Sequence, residues 1–296
     1  MLINGSLFSW TLMFRNEERY MMKNFRRAGM ALVACLALAA CGGNTDEDAT
    51  APAASGAAEA TESSAPVAES LGEINVFAAA SLVDVLPEIQ TELEAAYPGT
   101  TITYNFGGSS GLVDQLAGGA SADLLLTANA KTMTTAEEKG LAEGSVSFTS
   151  NTLVLVVPAG NPGNVTSLED ASTDGRKLVV CAEEVPCGSA TKQLEEVSGI
   201  TLTPVSEEQS VTDVLGKVTS GEADAGLVYT TDAKGAGDKV EVIEVPNADD
   251  IINDYRAVVL KDAKNSEGAQ KFLDLILSDS GQNTLKDFGF GAPVVK

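Results

Sequence analysis

From Glu73 onward the hydrophobic pattern switches repeatedly between short, nearly continuous apolar runs and longer stretches with apolar residues three to four apart. Glu73–Ala78 predicts a strand. Leu82, Val83, Val85, Leu86, Ile89 and Leu93 then mark an amphipathic helix, which Pro87 is expected to kink or delay. A strand over Thr101–Phe106, a helix marked by Leu112, Val113 and Leu116, a buried strand over Ala122–Thr127 and a helix around Thr132–Lys139 follow. Further strands are predicted at Thr152–Pro158, Leu178–Cys181, Leu202–Pro204, Ala225–Tyr229, Val240–Val245 and Arg256–Leu260. Helices are expected after Gly188, near Val211–Val218, and over Ser266–Leu277 and Gln282–Asp287. Such alternation predicts an α/β protein with mixed, mostly parallel sheets. Residues 73–153 with 252–296 are assigned to one lobe and 154–251 to a second.

Before Glu73 the pattern is of another kind. Lys23, Arg26 and Arg27 precede an apolar run, Ala28–Ala40, that ends in Leu38-Ala39-Ala40-Cys41-Gly42. This reads as a signal peptide with a lipobox, residues 1–40, cleaved before Cys41, whose thiol carries the lipid. Met21 or Met22 is the better start, and the run is too short to span a bilayer. Residues 42–72 hold Ala, Ser, Glu, Thr, Pro and Gly with almost no large apolar side chain, so a disordered tether is expected. The protein is thereby placed outside the cytoplasm, anchored to the cell membrane through its N-terminal lipid alone.

Charge and composition narrow the chemistry. The net charge is −23, and removal of residues 1–40 deletes five basic and two acidic residues, leaving about −26. That field repels nucleic acid and anionic lipid, so no nucleic-acid partner is expected. The chain has no histidine, which removes the commonest general base, and catalysis is not expected. Cys181 and Cys187, six apart, read as a disulfide or as two free buried thiols, and an oxidising compartment favours the disulfide. With so few candidate ligands a structural zinc is not expected.

Two segments repeat one arrangement. Phe77-Ala78-Ala79-Ala80-Ser81 and Phe106-Gly107-Gly108-Ser109-Ser110-Gly111 each run from a strand through tiny residues into a serine that opens a helix pattern. Free N–H groups and a positive helix end at such a junction suit an oxyanion without any charged side chain. Taken singly, Ser81 also reads as an ordinary N-cap and Gly107–Gly111 as plain turn chemistry. Val185-Pro186-Cys187-Gly188 would present the Cys187 N–H at another helix start, and it also reads as a tight turn. Tyr229, at the end of its strand, reads as a cleft hydroxyl or as a core tyrosine.

Together these segments, with Ala122-Asp123-Leu124, Asn151–Pro158 and Gly226–Tyr229, resemble the periplasmic molybdate-binding proteins of ABC transporters, the ModA-like proteins of type II periplasmic-binding-protein fold. The resemblance covers residues 73–296. It implies two lobes joined by a hinge, with the ligand in the interlobe cleft. Ser81 and Ser109 match family ligands that act through hydroxyl and amide, Cys187 and Val211 match backbone donors, and Tyr229 matches the ligand tyrosine. The metal is implied only inside the oxyanion, with no direct protein–metal ligand and no cofactor. A monomer that captures molybdate, and tungstate with it, and delivers it to an ABC permease is implied. There are two departures: Cys187 stands where the family commonly has alanine, and Arg256 follows Tyr255 where proline is frequent. The alternatives are a receptor for another small oxyanion such as sulfate, or a lipoprotein sensor or adhesin of the same fold.

Overall fold

The computed structural model describes residues 69–295. The expected signal peptide, Cys41 and nearly all of the expected tether lie outside the described residues. Leu71 and Gly72, assigned to the tether by composition, are bonded into the fold. Leu71 N–H donates to Thr100 Oγ1 at 2.9 Å, and Asn265 Nδ2 donates to the Leu71 carbonyl at 2.7 Å.

In chain order the elements are β1 (Glu73–Ala79), α1 (Val85–Ala96), β2 (Thr101–Gly107), α2 (Ser109–Ala117), β3 (Leu124–Thr127), α3 (Ala130–Glu138), β4 (Val146–Asn151) and β5 (Leu153–Pro158). Then come α4 (Leu168–Ala171), β6 (Leu178–Cys181), α5 (Pro186–Ser198), β7 (Ser206–Glu208), α6 (Val211–Thr219), β8 (Ala225–Tyr229) and α7 (Thr230–Ala236). The chain closes with β9 (Val240–Ile243), β10 (Asn253–Val259), α8 (Ser266–Leu277) and α9 (Asp279–Phe288). A single 3-10 turn, Ala80–Leu82, separates β1 from α1.

The strands form two five-stranded sheets, ordered β2-β1-β3-β10-β4 and β7-β6-β8-β5-β9. Each sheet is mixed, with a larger antiparallel share than the alternation predicts. β1 pairs in parallel with β2 and β3, while β10 runs antiparallel to β3 and β4. β6 pairs in parallel with β7 and β8, while β5 runs antiparallel to β8 and β9. The chain passes from the first sheet to the second through Thr152 and returns between β9 and β10.

The side-chain period of two decides what each strand buries. Ile74, Val76 and Ala78 of β1, with Leu124 and Leu126 of β3, face a core shared with Leu86, Ile89 and Leu93 of α1 and Phe272 and Ile276 of α8. Phe77, Leu125 and Val258 face the opposite side, against Leu112, Val113 and Leu116 of α2 and Met133 of α3. Burial on both faces explains why these strands read as continuous apolar runs.

Pro87 delays α1 rather than kinking it. The helix starts at Val85, so Pro87 lies in the first turn, where a missing N–H costs no intrahelical bond. Several expectations are corrected. Leu202–Pro204 is not a strand: pairing begins after Pro204, where Val205 N–H reaches the Leu178 carbonyl, and β7 follows. Helix α5 begins at Pro186, before Gly188, because proline's fixed φ suits a helix start. Strand β4 and helix α7 carry too little apolar periodicity to be seen in the sequence. Strand β10 begins at Asn253, three residues before Arg256.

Candidate functional site

Where the two sheets face each other, several strand ends deliver small residues and helix starts to one place. Ser81, Ser109, Cys187, Val211 and Tyr229 all line a single small cavity. Gly108, Val185 and Ser210 share the wall with Pro186 and the small residues Ala79, Ala80, Gly107 and Ala128, and no charged residue contributes to the lining. Ser81 and Ser109 follow β1 and β2 of the first sheet, whereas Cys187, Val211 and Tyr229 come from elements around the second. The cavity therefore draws donors from both halves of the fold.

Each wall is set by local sequence. Gly108 is the N-cap of α2 and Ser109 its first residue; Val185 and Ser210 cap α5 and α6. The first N–H groups of these three helices have no intrahelical acceptor and carry the positive end of the helix dipole. Gly188 is required for close packing, since a Cβ there would stand 1.8 Å from the Ala182 carbonyl oxygen. The disulfide Cys181–Cys187 joins the end of β6 to the first turn of α5, pinning the Cys187 amide to the sheet.

The halves touch beside the cavity. A Cβ at Gly108 would lie 2.0 Å from the Gln209 carbonyl oxygen, so the two backbones are in direct apposition. Ser110 Oγ donates to the Glu184 carbonyl across the same cleft.

The hydroxyls are backed by polar groups that the sequence reading had not selected. The Ala128 N–H donates to Ser109 Oγ at 3.0 Å, leaving the serine proton free. Ser81 Oγ lies 2.7 Å from the Tyr255 hydroxyl, and Asn253 Nδ2 donates to the Tyr229 hydroxyl at 2.9 Å. Asn253 and Tyr255 are two apart on β10 and share one face. That polar alternation was the available signal, and it was lost because the predicted strand began at Arg256. Arg256 itself points elsewhere, bonding Ser145 and Asp254.

Burial pushes the Tyr229 and Tyr255 hydroxyls far above the ordinary tyrosine range, with the neighbouring tyrosine and Asp232 adding to the shift at Tyr229 and Asp232 adding at Tyr255. Both remain protonated donors. Asp232 sits behind the site, accepting the Tyr229 N–H at 3.0 Å. Burial foremost raises its carboxyl to about 7, the Asp84 charge adds to the shift, and backbone hydrogen bonds oppose it.

Two short patterns invite a catalytic interpretation. Gly107-Gly108-Ser109-Ser110-Gly111 spells Gly-x-Ser-x-Gly at a strand-to-helix turn, and Ser189-Ala190-Thr191-Lys192 spells Ser-x-x-Lys. Ser109 Oγ, however, is approached by an N–H donor rather than a base, in a chain without histidine. Lys192 is bound to Glu195 at 3.1 Å, which raises its pKa and holds it as the ammonium.

The sequence profile of the bacterial extracellular solute-binding proteins matches residues 74–291. The chain is 42% identical over 221 residues to the molybdate-binding protein ModA of Mycobacterium tuberculosis, spanning 74% of this chain and 85% of that one. It is 28% identical over 230 residues to the molybdate-binding protein ModA of Escherichia coli, 74% of this chain and 89% of that one. The structure of the Azotobacter vinelandii periplasmic molybdate-binding protein matches with a TM-score of 0.64, covering 75% of this chain and 100% of that one. At 19% identity that match speaks to the fold. By profile, by identity and by fold, the chain belongs to the bacterial extracellular solute-binding protein family, as a ModA-like periplasmic binding protein.

Proposed function

We propose that this protein captures molybdate, and tungstate with it, in the cavity walled by Ser81, Ser109, Cys187, Val211 and Tyr229, and hands it to an ABC permease. The observation that carries the reading is a cavity whose lining residues, drawn from both halves, include Ser81, Ser109, Tyr229 and the starts of three helices, and no charged residue. A dianion leaves water only where its oxygens find donors, because an unpaired buried charge is very costly. Neutral donors can replace the hydration shell without a salt bridge, leaving cavity size to select among tetrahedral anions. The 42% identity to a molybdate-binding protein supports this ligand over sulfate.

The role is transport, not catalysis, with the metal held only inside its oxyanion and no cofactor. Cys41 carries the lipid that tethers the protein outside the cytoplasm, and the protein acts as a monomer without nucleic-acid partners. Among the described residues no helix is long and apolar enough to cross a membrane. Competition calorimetry with molybdate, tungstate and sulfate tests the ligand. Tight binding of the first two with weak sulfate competition is expected, and equal affinity for sulfate refutes the assignment.

A further inference from the structure

We propose that Asn253 is a positioning residue that fixes the direction of the Tyr229 hydroxyl, so that its proton faces the oxyanion cavity. The assignment rests on the oxyanion reading above.

Asn253 is buried, 4% exposed, at the start of β10, where the chain returns from the second sheet to the first. Its Nδ2 lies 2.9 Å from the Tyr229 hydroxyl oxygen, 3.0 Å from the Ala128 carbonyl and 3.5 Å from the Pro186 carbonyl. The two carbonyls decide the orientation of the amide. An amide oxygen in that position would face the Ala128 carbonyl, whereas the NH2 group gives one proton to that carbonyl at 3.0 Å and the other to the Tyr229 hydroxyl at 2.9 Å, with the Pro186 carbonyl at the limit of reach. An amide nitrogen only donates, so the Tyr229 oxygen must accept. The tyrosine proton is then excluded from the Asn253 side; two outlets remain, the cavity that Tyr229 lines and the neighbouring Tyr255 hydroxyl, which already shares a hydrogen bond with Ser81 Oγ at 2.7 Å.

Removing the amide does two things. The hydroxyl loses the donor that orients it, and the Ala128 carbonyl loses its side-chain partner. With no donor on this side, the Tyr229 hydroxyl is free to rotate, and its proton is no longer committed to the cavity. Asn253 thus acts through Tyr229, and its contribution should vanish when Tyr229 has no hydroxyl.

A double-mutant cycle separates this from simple packing. Asn253→Leu conserves approximate volume and neutrality, and molybdate binding is measured by calorimetry in the native and Tyr229→Phe backgrounds. The expected result is a loss of 10- to 100-fold in the native background and less than threefold in the Tyr229→Phe background. Equal losses in both backgrounds overturn the assignment while leaving the oxyanion site intact. Should Asn253→Leu fail to fold by circular dichroism, Asn253→Ala carries the same cycle and the same two outcomes. Absence of molybdate binding by the native protein overturns the ligand reading itself, and this assignment with it.

Discussion

Gly108 lies where the two halves of the fold come closest, and a single methyl group there should act as a wedge. Its backbone angles, φ −62° and ψ 128°, suit any residue, so alanine brings no conformational strain. The obstacle is space: the new Cβ would stand 2.0 Å from the Gln209 carbonyl oxygen and 3.3 Å from Val185 Cγ1. Ordinary contact begins at 3.4 Å, so Gly108 and Gln209 must separate by about 1.4 Å. Gln209 directly precedes the Ser210–Val211 helix start, and Val185 precedes Cys187, so the amides of the second half move with the obstacle. Hydrogen bonds from N–H groups span about 2.7–3.2 Å, and a shift of this size takes them out of range. Each bond to a charged ligand is worth about 1.5–3 kcal/mol. Loss of the Cys187 and Val211 donors therefore costs about 3 kcal/mol or more, on the order of 100-fold in affinity. Calorimetric titration of Gly108→Ala with molybdate reads this directly. Gly111→Ala serves as control, because its Cβ would meet nothing within 4 Å. The ligand-free melting temperature of Gly108→Ala should fall by less than about 4 °C, the equivalent of 1 kcal/mol in a fold of this size. Affinity within threefold of native for Gly108→Ala would show that backbone apposition does not set the donor geometry.

Ser109→Ala removes a donor to the ligand and the acceptor of the Ala128 N–H, so it should weaken molybdate binding by about 1–3 kcal/mol and lower ligand-free stability as well. Unchanged affinity in calorimetry would remove Ser109 from the site. Asp232, raised from 3.8 to about 7 by burial, holds its proton in the native state after the unfolded chain has lost it. Stability should therefore fall as pH rises from about 4 to about 7 and stay low above. Asp232→Asn keeps an acceptor for the Tyr229 N–H, removes that slope, and should stabilise the protein at pH 8 by up to about 4 kcal/mol. Urea titrations at pH 4 and pH 8 check this, and equal gains at both would contradict it. Replacing Cys181 and Cys187 together by serine opens a short loop and should cost about 2–3 kcal/mol in the same titration, with weaker molybdate binding as the Cys187 amide loosens. No change in either measurement would mean that α5 is held without the bridge.

The sequence determined most of the frame. Strands buried on both faces and helices with one apolar stripe announce themselves through local spacing, which the chain carries from β1 to α9. The junctions at Ser81, Ser109 and Cys187 were legible for the same reason, since a helix start and its free N–H groups are local features, whereas Val211 was pointed to only by the family resemblance. What lay behind the hydroxyls was not local. Ser109 is backed by Ala128, Ser81 by Tyr255 and Tyr229 by Asn253, pairs brought together by sheet order and the return of β10. Asn253 and Tyr255 are polar residues in a strand read as starting later, because hydrophobic periodicity cannot register a position buried by hydrogen bonding. Gly108 read in sequence as a turn glycine. Its constraint comes from a carbonyl of the other half, a hundred residues away along the chain, and only the folded backbone reveals that no side chain fits between them.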